Sequence, residues 1–352
     1  MISPDFLIFD GHNDVLSKIF NEGGTVRAAS FLEGREGAID LAKAKLGGFG
    51  GGFFAVYVPS QFDLEFSYQE MEKDSYCLPL PEAIEWSTAV SVVASQVAIL
   101  RELERLGCLI ICRSVSDIYS AFKKQKIAAI FHIEGAEAID PDLHMLEVLH
   151  SAGLRSIGPV WSRPTIFGEG VPFSFPSTPN IGAGLTELGI RLVKRCNELK
   201  IMIDLSHLNE AGFWDVASYS NAPLVATHSN AHSITQHSRN LTDEQLRAIA
   251  DSDGMVGLNF ATAFLREDGK MLSDVPLTQM LRHLDYLIEI LGEDRVGLGS
   301  DYDGAVMPEE LTDLSGLPNL IRAMRAHGYD ELLIKKLCHE NWLGVLHKTW
   351  GN

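Results

Sequence analysis

Five short apolar runs in this chain each stop at a side chain able to hold a metal ion. They are IFDGHND, which carries His12 and Asp14, IFHIEG with Glu134, IMIDLSH with His207, PLVATHS with His228, and VGLGSD with Asp301. A strand that stops at an imidazole or a carboxylate presents that group at its C-terminal mouth. Five strands doing so in one chain predict a ring of ligands around a shared site, and with it metal-assisted chemistry.

Between these runs lie helical patterns. Strands are expected over 6–10, 52–58, 128–133, 156–160, 202–205, 224–227, 255–259 and 295–299, with helices among them at 82–107, 187–199, 243–251, 277–291 and 330–337. Strand-then-helix repeated eight times predicts an α/β fold, a (β/α)8 TIM-type barrel. The strands are rich in Val, Ile, Leu and Phe with little alternation, as for strands buried on both faces. Thr242 followed by Gln245, and Thr186, read as helix caps. The 352 residues show no linker and no internal repeat, so one domain over 1–352 is expected. Two long connections, 59–81 and 162–184, follow the second and fourth strands and are expected as lids or walls on the C-terminal face. The glycine run at 47–52 precedes a strand, not a helix, and so reads as a flexible turn instead of a phosphate cradle.

A formal net charge of −18 argues against nucleic acid or an anionic membrane as partner, since both require basic patches. No uninterrupted apolar stretch reaches about 18 residues, so no spanning helix is expected. The opening MISPDFLIFDGHND lacks a basic n-region, and a cleavable signal would remove the first ligands, so none is expected and the protein is read as cytoplasmic. Five cysteines without a CxxC pair are expected as buried free thiols in a reducing compartment.

His12 and Asp14 are two apart, a spacing that turns both side chains the same way in an extended segment and lets them reach one metal. Glu134 has two carboxylate oxygens and can bridge two cations. His207 and His228 offer neutral imidazoles, good zinc ligands. Each histidine alone would read as a core or surface residue; at successive strand ends they are hard to explain by packing. Asp301, near a metal-bound water, suits a general acid and base; the competing reading, a turn aspartate, suits Asp303 better. His132, His232 and His237 are weaker candidates, and the remaining six histidines read as structural.

The motifs DGHND at 10–14, IEG at 133–135, IDLSH at 203–207, THSNAHSITQHSRN at 227–240 and GLGSDYDG at 297–304 together resemble the membrane (renal-type) dipeptidases, the M19 metallopeptidases of the amidohydrolase group. The resemblance implies a (β/α)8 barrel with two Zn2+ ions, one held by His12 and Asp14, the other by His207 and His228, with Glu134 between them. It implies hydrolysis of dipeptides, L-X-D-X dipeptides included, by a zinc-bridging hydroxide, with Asp301 as catalytic acid and base. Arg239 would grip the C-terminal carboxylate of the substrate, a task suited to a planar guanidinium. Members are often homodimeric, which makes a homodimer the expected assembly. One position departs: renal-type members carry a histidine just after the fourth strand, where this chain has Trp161. An indole donates one hydrogen bond but carries no proton charge, so Trp161 bears on substrate range more than on reaction class. Two other readings stay open. One is an amidohydrolase acting on a lactone, cyclic amide or phosphoester, which a lysine ending the fourth strand would favour. The other is a metal-binding accessory protein without catalysis, against which Asp301 and Arg239 stand.

Overall fold

The structure, a computed structural model, describes residues 7–60 and 64–351. Residue 6, the expected start of the first strand, and residues 61–63 of the first long connection lie outside the described residues. The strands in chain order are β1 (Ile8–Asn13), β2 (Phe49–Tyr57), β3 (Tyr76–Cys77), β4 (Leu109–Ile111), β5 (Ile127–Glu134), β6 (Leu154–Gly158), β7 (Ser174–Phe175), β8 (Met202–Ile203), β9 (Val225–Ala226), β10 (Met255–Asn259) and β11 (Val296–Gly299). Eight of them lie side by side in the order β8-β6-β5-β2-β1-β11-β10-β9, and all their pairings are parallel. A parallel bridge between Asp204 and Val225 joins the two ends, so the sheet is a nearly closed barrel. The expected (β/α)8 fold is the one found.

The glycine run is not a turn. β2 starts at Phe49, three residues before its expected start, and takes in Gly50 to Gly52. A Cβ on Gly51 would lie 2.2 Å from the Ala128 carbonyl oxygen, and one on Gly52 2.5 Å from that of Asp10. Glycine is what lets β2 approach both β1 and β5 this closely. The turn itself is Gly48 alone, left-handed with φ 69° at the end of helix Leu41–Gly47.

β4 had no sequence expectation. It pairs with Ile127–Ala129 of β5, on the edge that β6 takes over from Phe131 onward. The two long connections are walls tied to each other: β3 from the first pairs antiparallel with β7 from the second, Tyr76 opposite Phe175.

Helices Glu187–Leu199, Asp243–Asp251 and Leu277–Leu291 have the expected bounds. The expected 82–107 helix is shorter, Trp86–Arg105, and the expected 330–337 helix is the start of a run that continues through a wide π turn at Lys336–Glu340 into Asn341–Trp350. Thr242 and Gln245 cap reciprocally, and the Thr186 hydroxyl accepts from the Gly189 amide at 3.1 Å. Trp342 from the last run is fully buried with Phe9, Phe53, Met202, Val225 and Met255, and donates to the Leu298 carbonyl at 3.0 Å. This apolar layer floors the barrel and leaves polar residues to its C-terminal rim. All five cysteines are free; four are buried, but Cys77, on the short surface strand β3, is exposed. Among the described residues no helix is long and apolar enough to cross a membrane.

Candidate functional site

Each proposed ligand reaches the rim from the end of a strand. β1 stays extended through Asn13, so His12 is within the strand, and Asp14 sits at the start of helix Val15–Asn21. Glu134 is the last residue of β5. His207 follows β8, His228 follows β9 and Asp301 follows β11, the last with φ 63°. The five expected ligands meet. His12 Nε2 lies 3.4 Å from Asp14 Oδ2 and 3.5 Å from Glu134 Oε1. That same Glu134 oxygen is 2.8 Å from His207 Nε2 and 3.5 Å from His228 Nε2. The Nε2 atoms of His207 and His228 are 3.1 Å apart.

Around the site there are three groups with metal-ligand spacing: Glu134 with His207 and His228, His12 with Asp14 and Asp301, and His12 and His228 with Asp204. Asp301, expected as an acid and base, thus stands within ligand distance of His12 and Asp14. The electrostatics suit a cation. Burial works against a charge on His12, but Glu134 and Asp14 outweigh it and hold its imidazole up at about 10. Burial pushes the Glu134 carboxyl well above the usual carboxylate range, against the pull of His12. Burial, with Arg239 and His12 adding to it, holds His207 and His228 well below the usual imidazole range, and therefore neutral. Neither ring nitrogen of His12 makes a hydrogen bond, although both are buried. Three imidazoles and two to three carboxylates form a donor set fitted to zinc, and a bound cation would satisfy the unpaired His12 Nε2, which faces Asp14 and Glu134.

The rings are held from behind. The Ser162 hydroxyl meets His207 Nδ1 at 2.9 Å. Thr227 Oγ1 meets His228 Nδ1 at 2.8 Å and donates its own proton to Asp204 Oδ2 at 2.7 Å. The Thr227 hydroxyl is thereby the acceptor for His228 Nδ1–H, which leaves the Nε2 lone pair facing Glu134. Asp204 also accepts from the backbone amides of Ser206 and Thr227, at 3.1 and 2.9 Å. Asn259 donates to Asp301 Oδ2 at 3.0 Å. Asp10 accepts from the Ser300 amide at 2.6 Å and its hydroxyl at 2.8 Å, pinning β1 to β11 below the rim; burial raises its carboxyl to about 7. Asp204, Thr227, Ser162, Asn259 and Asp10 were not sequence candidates. The signal for Asp204 is its place in IDLSH, a carboxylate at a strand end three residues before His207.

Arg239 is buried beside His207, on its Nε2 side. Its guanidinium donates to the Ser206 carbonyl and, at 3.3 Å, to the His228 carbonyl, and Nη2 lies 3.4 Å from His207 Nε2. It is not part of the cavity wall. Burial lowers it to about 10, which leaves it charged at neutral pH. Trp161 does line the cavity, its ring 5.7 Å from His207 and 5.2 Å from Tyr57. His132 packs edge-on below His12 and bonds the Ser156 hydroxyl, His232 bonds the Ser177 carbonyl, and His237 accepts from the Arg239 amide; none joins the ligand groups. Asp303 is a turn residue, as expected, with φ 68°, and it accepts from the Ala38 amide at 2.7 Å. A cavity of about 300 Å³ opens over the ring, with Asp14, Glu134, His207 and Asp301 in its wall.

A sequence model described as membrane dipeptidase (peptidase family M19) matches residues 1–350. The chain is similar to the uncharacterized protein in the pqqA 5′ region of Klebsiella pneumoniae, 51% identical over 263 residues, which are 74% of this chain and 97% of that one. It is also similar to a metallo peptidase from Rhodobacter sphaeroides whose crystal structure is liganded with a phosphinate mimic of the dipeptide L-Ala-D-Ala. Identity there is 53% and the TM-score 0.96, over 98% of this chain and 100% of that one. The probable dipeptidase PvdM from Pseudomonas aeruginosa shares the fold at 21% identity and a TM-score of 0.81, over 98% of this chain and 95% of that one.

Proposed function

The chain belongs to the membrane dipeptidase family, peptidase family M19, and from that premise we propose that it is a binuclear zinc dipeptidase that cleaves dipeptides, L-X-D-X dipeptides included. The observation that carries the reading is the convergence of three imidazole Nε2 atoms on one oxygen of Glu134, within 3.5 Å. The phosphinate mimic of L-Ala-D-Ala on the Rhodobacter sphaeroides peptidase supports a dipeptide of that stereochemistry here.

His12 and Asp14 would hold one zinc, His207 and His228 the other, with Glu134 shared between them. Bound zinc supplies Lewis acidity, polarising the scissile carbonyl and lowering the pKa of water toward about 7. Asp301 takes the proton released as water adds to the carbonyl carbon and delivers it to the leaving amine. Burial raises its carboxyl above the usual range, which lets it carry that proton, and Asn259 fixes Oδ2 so that the other oxygen serves the reaction. Arg239 binds the free carboxylate of the C-terminal residue, which confines the substrate to two residues. Trp161 walls the cavity beside His207 and excludes water from that side. The proposal extends to residues 1–352 as one domain, in a cytoplasmic homodimer.

The test is metal analysis of the purified protein together with hydrolysis of L-Ala-D-Ala and L-Ala-L-Ala before and after chelation. Two zinc equivalents per chain, and amino-acid release that stops with chelator and returns with zinc, are expected. Turnover of only lactones, cyclic amides or phosphoesters, or none of any substrate by the zinc-loaded protein, overturns the reading.

A further inference from the structure

We infer that the cavity selects dipeptides whose C-terminal residue has an apolar side chain larger than methyl, and that Phe264 and Met271 are the residues that read it. This rests on the dipeptidase reading above and names the substrate class it leaves open.

The cavity has two unlike flanks. One carries the carboxylates of Asp14 and Asp301, with Lys18 and with Asp303, whose carboxylate is paired with Arg35; the other is Met71, Leu78, Phe173, Phe264 and Met271, without a charged group. The apolar flank does not belong to the barrel core. Met71, Phe264 and Met271 form a separate cluster with Tyr76, Ala261 and Ala263, drawn from connections far apart in the chain. The cluster is braced. The Met271 amide donates to the Met71 carbonyl at 3.0 Å, the Tyr76 hydroxyl donates to the Gly269 carbonyl at 2.6 Å, and the Phe173 and Phe264 rings stack at 6.1 Å. Apolar side chains fastened at a cavity wall, and not withdrawn into a core, make a preformed contact for an apolar ligand group. The two thioethers allow that group to vary in shape.

Its position matches the C-terminal end of a dipeptide. The Arg239 guanidinium lies 5.4 Å over the Phe264 ring, and Phe173 lies 6.4 Å from His207. Arg239 is not in the cavity wall but packs against the Phe264 ring, so a carboxylate drawn toward that guanidinium brings its own residue beside the Phe264 flank. The N-terminal residue falls across the ring toward Asp14 and Asp301, whose carboxylates suit its ammonium. An acidic side chain on the C-terminal residue would be desolvated against the apolar flank without a partner, a large penalty.

The experiment measures kcat/KM on the zinc-loaded enzyme for L-Ala joined to D- and L-forms of Ala, Leu, Met, Asp and Lys, and for the reversed series with alanine at the C-terminus. Leucine and methionine at the C-terminus should exceed alanine by about tenfold or more, the usual worth of methylenes in an apolar pocket, and exceed aspartate by about 100-fold. Met271→Ala should bring the methionine-to-alanine ratio towards one, and Met271→Lys should lower the leucine-to-aspartate ratio by about tenfold or more. These ratios do not depend on how much of a variant folds. A flat or acid-favouring C-terminal series, an apolar preference confined to the N-terminal residue, or wild-type ratios in both variants would each overturn the inference while leaving the dipeptidase reading in place. Hydrolysis of no dipeptide at all would remove that reading, and this inference with it.

Discussion

The Nε2 atom of His207 lies 2.8 Å from Oε1 of Glu134. That oxygen also faces His12 and His228, so Glu134 is within reach of both expected metal positions. Glu134→Gln keeps the volume but removes the charge that both positions share. Its zinc content after dialysis should fall to one equivalent or fewer, and kcat/KM by at least about 100-fold, the upper end of what weaker perturbations of metal sites cost. Two retained equivalents, read by metal analysis, would show that the bridge lies elsewhere.

Asp301 has two competing roles, because it stands within ligand distance of His12 and Asp14 yet is held by Asn259. As acid and base, its replacement in Asp301→Asn should lower kcat by about 10² to 10⁴-fold with zinc content unchanged. Metal analysis alongside the rate separates the roles. Lost zinc would make Asp301 chiefly a ligand.

Thr227 passes the orientation of Asp204 to His228 through one hydroxyl. Thr227→Val is nearly isosteric and cuts that relay, freeing the ring to turn or change tautomer. Zinc affinity should fall about 10- to 100-fold. Competition with a chelator measures this directly, and an unchanged zinc dissociation constant in a folded variant would deny the relay its role.

Arg239 spends its donors on backbone carbonyls of Ser206 and His228 and carries its charge at a buried place. Holding a substrate carboxylate requires that charge. Arg239→Ala should raise KM far more than it lowers kcat, with kcat/KM down about 100-fold or more, as when one partner of a buried charged pair is removed. Wild-type kcat/KM in this variant would end the carboxylate-clamp assignment.

How much of this could be read from residues alone follows from the range of each interaction. His12, Glu134, His207 and His228 were legible because each ends an apolar run, and the barrel orders such ends on one rim. Asp204 and Thr227 were not, since their importance lies in a hydrogen-bond chain between two strand ends 23 residues apart. The glycines of β2 misled because glycine has low strand propensity; the space between Asp10 and Ala128 overrides it. β4 is three apolar residues, too few for any periodicity. The pairing of β3 with β7 joins segments 98 residues apart at Ser174 and Tyr76 and has no local signal. Arg239 carries no local mark either, and only the motif that contains it drew attention to it.

His283 gives a prediction independent of the metal ring. It is fully buried on helix Leu277–Leu291, its Nδ1 accepts from the Ala231 amide at 3.4 Å, and its Nε2 lies 3.0 Å from the Leu265 carbonyl. One nitrogen accepting and the other donating demands the neutral ring. Burial depresses it from the usual 6.5 to about 4. The unfolded chain therefore binds this proton first as pH falls, so the ring's contribution is complete above about 6.5 and is lost progressively down to about 4. His283→Gln removes the titration while leaving every other group in place. The stability gap between wild type and variant should then narrow by about 2 kcal/mol from pH 7.5 to pH 5, at 1.36 kcal/mol per pH unit below 6.5. Urea unfolding of both proteins across that range measures it. A gap that stays constant with pH would mean that His283 is protonated as readily in the folded chain as in the unfolded one, and that the neutral-ring bridge between Ala231 and Leu265 does not form.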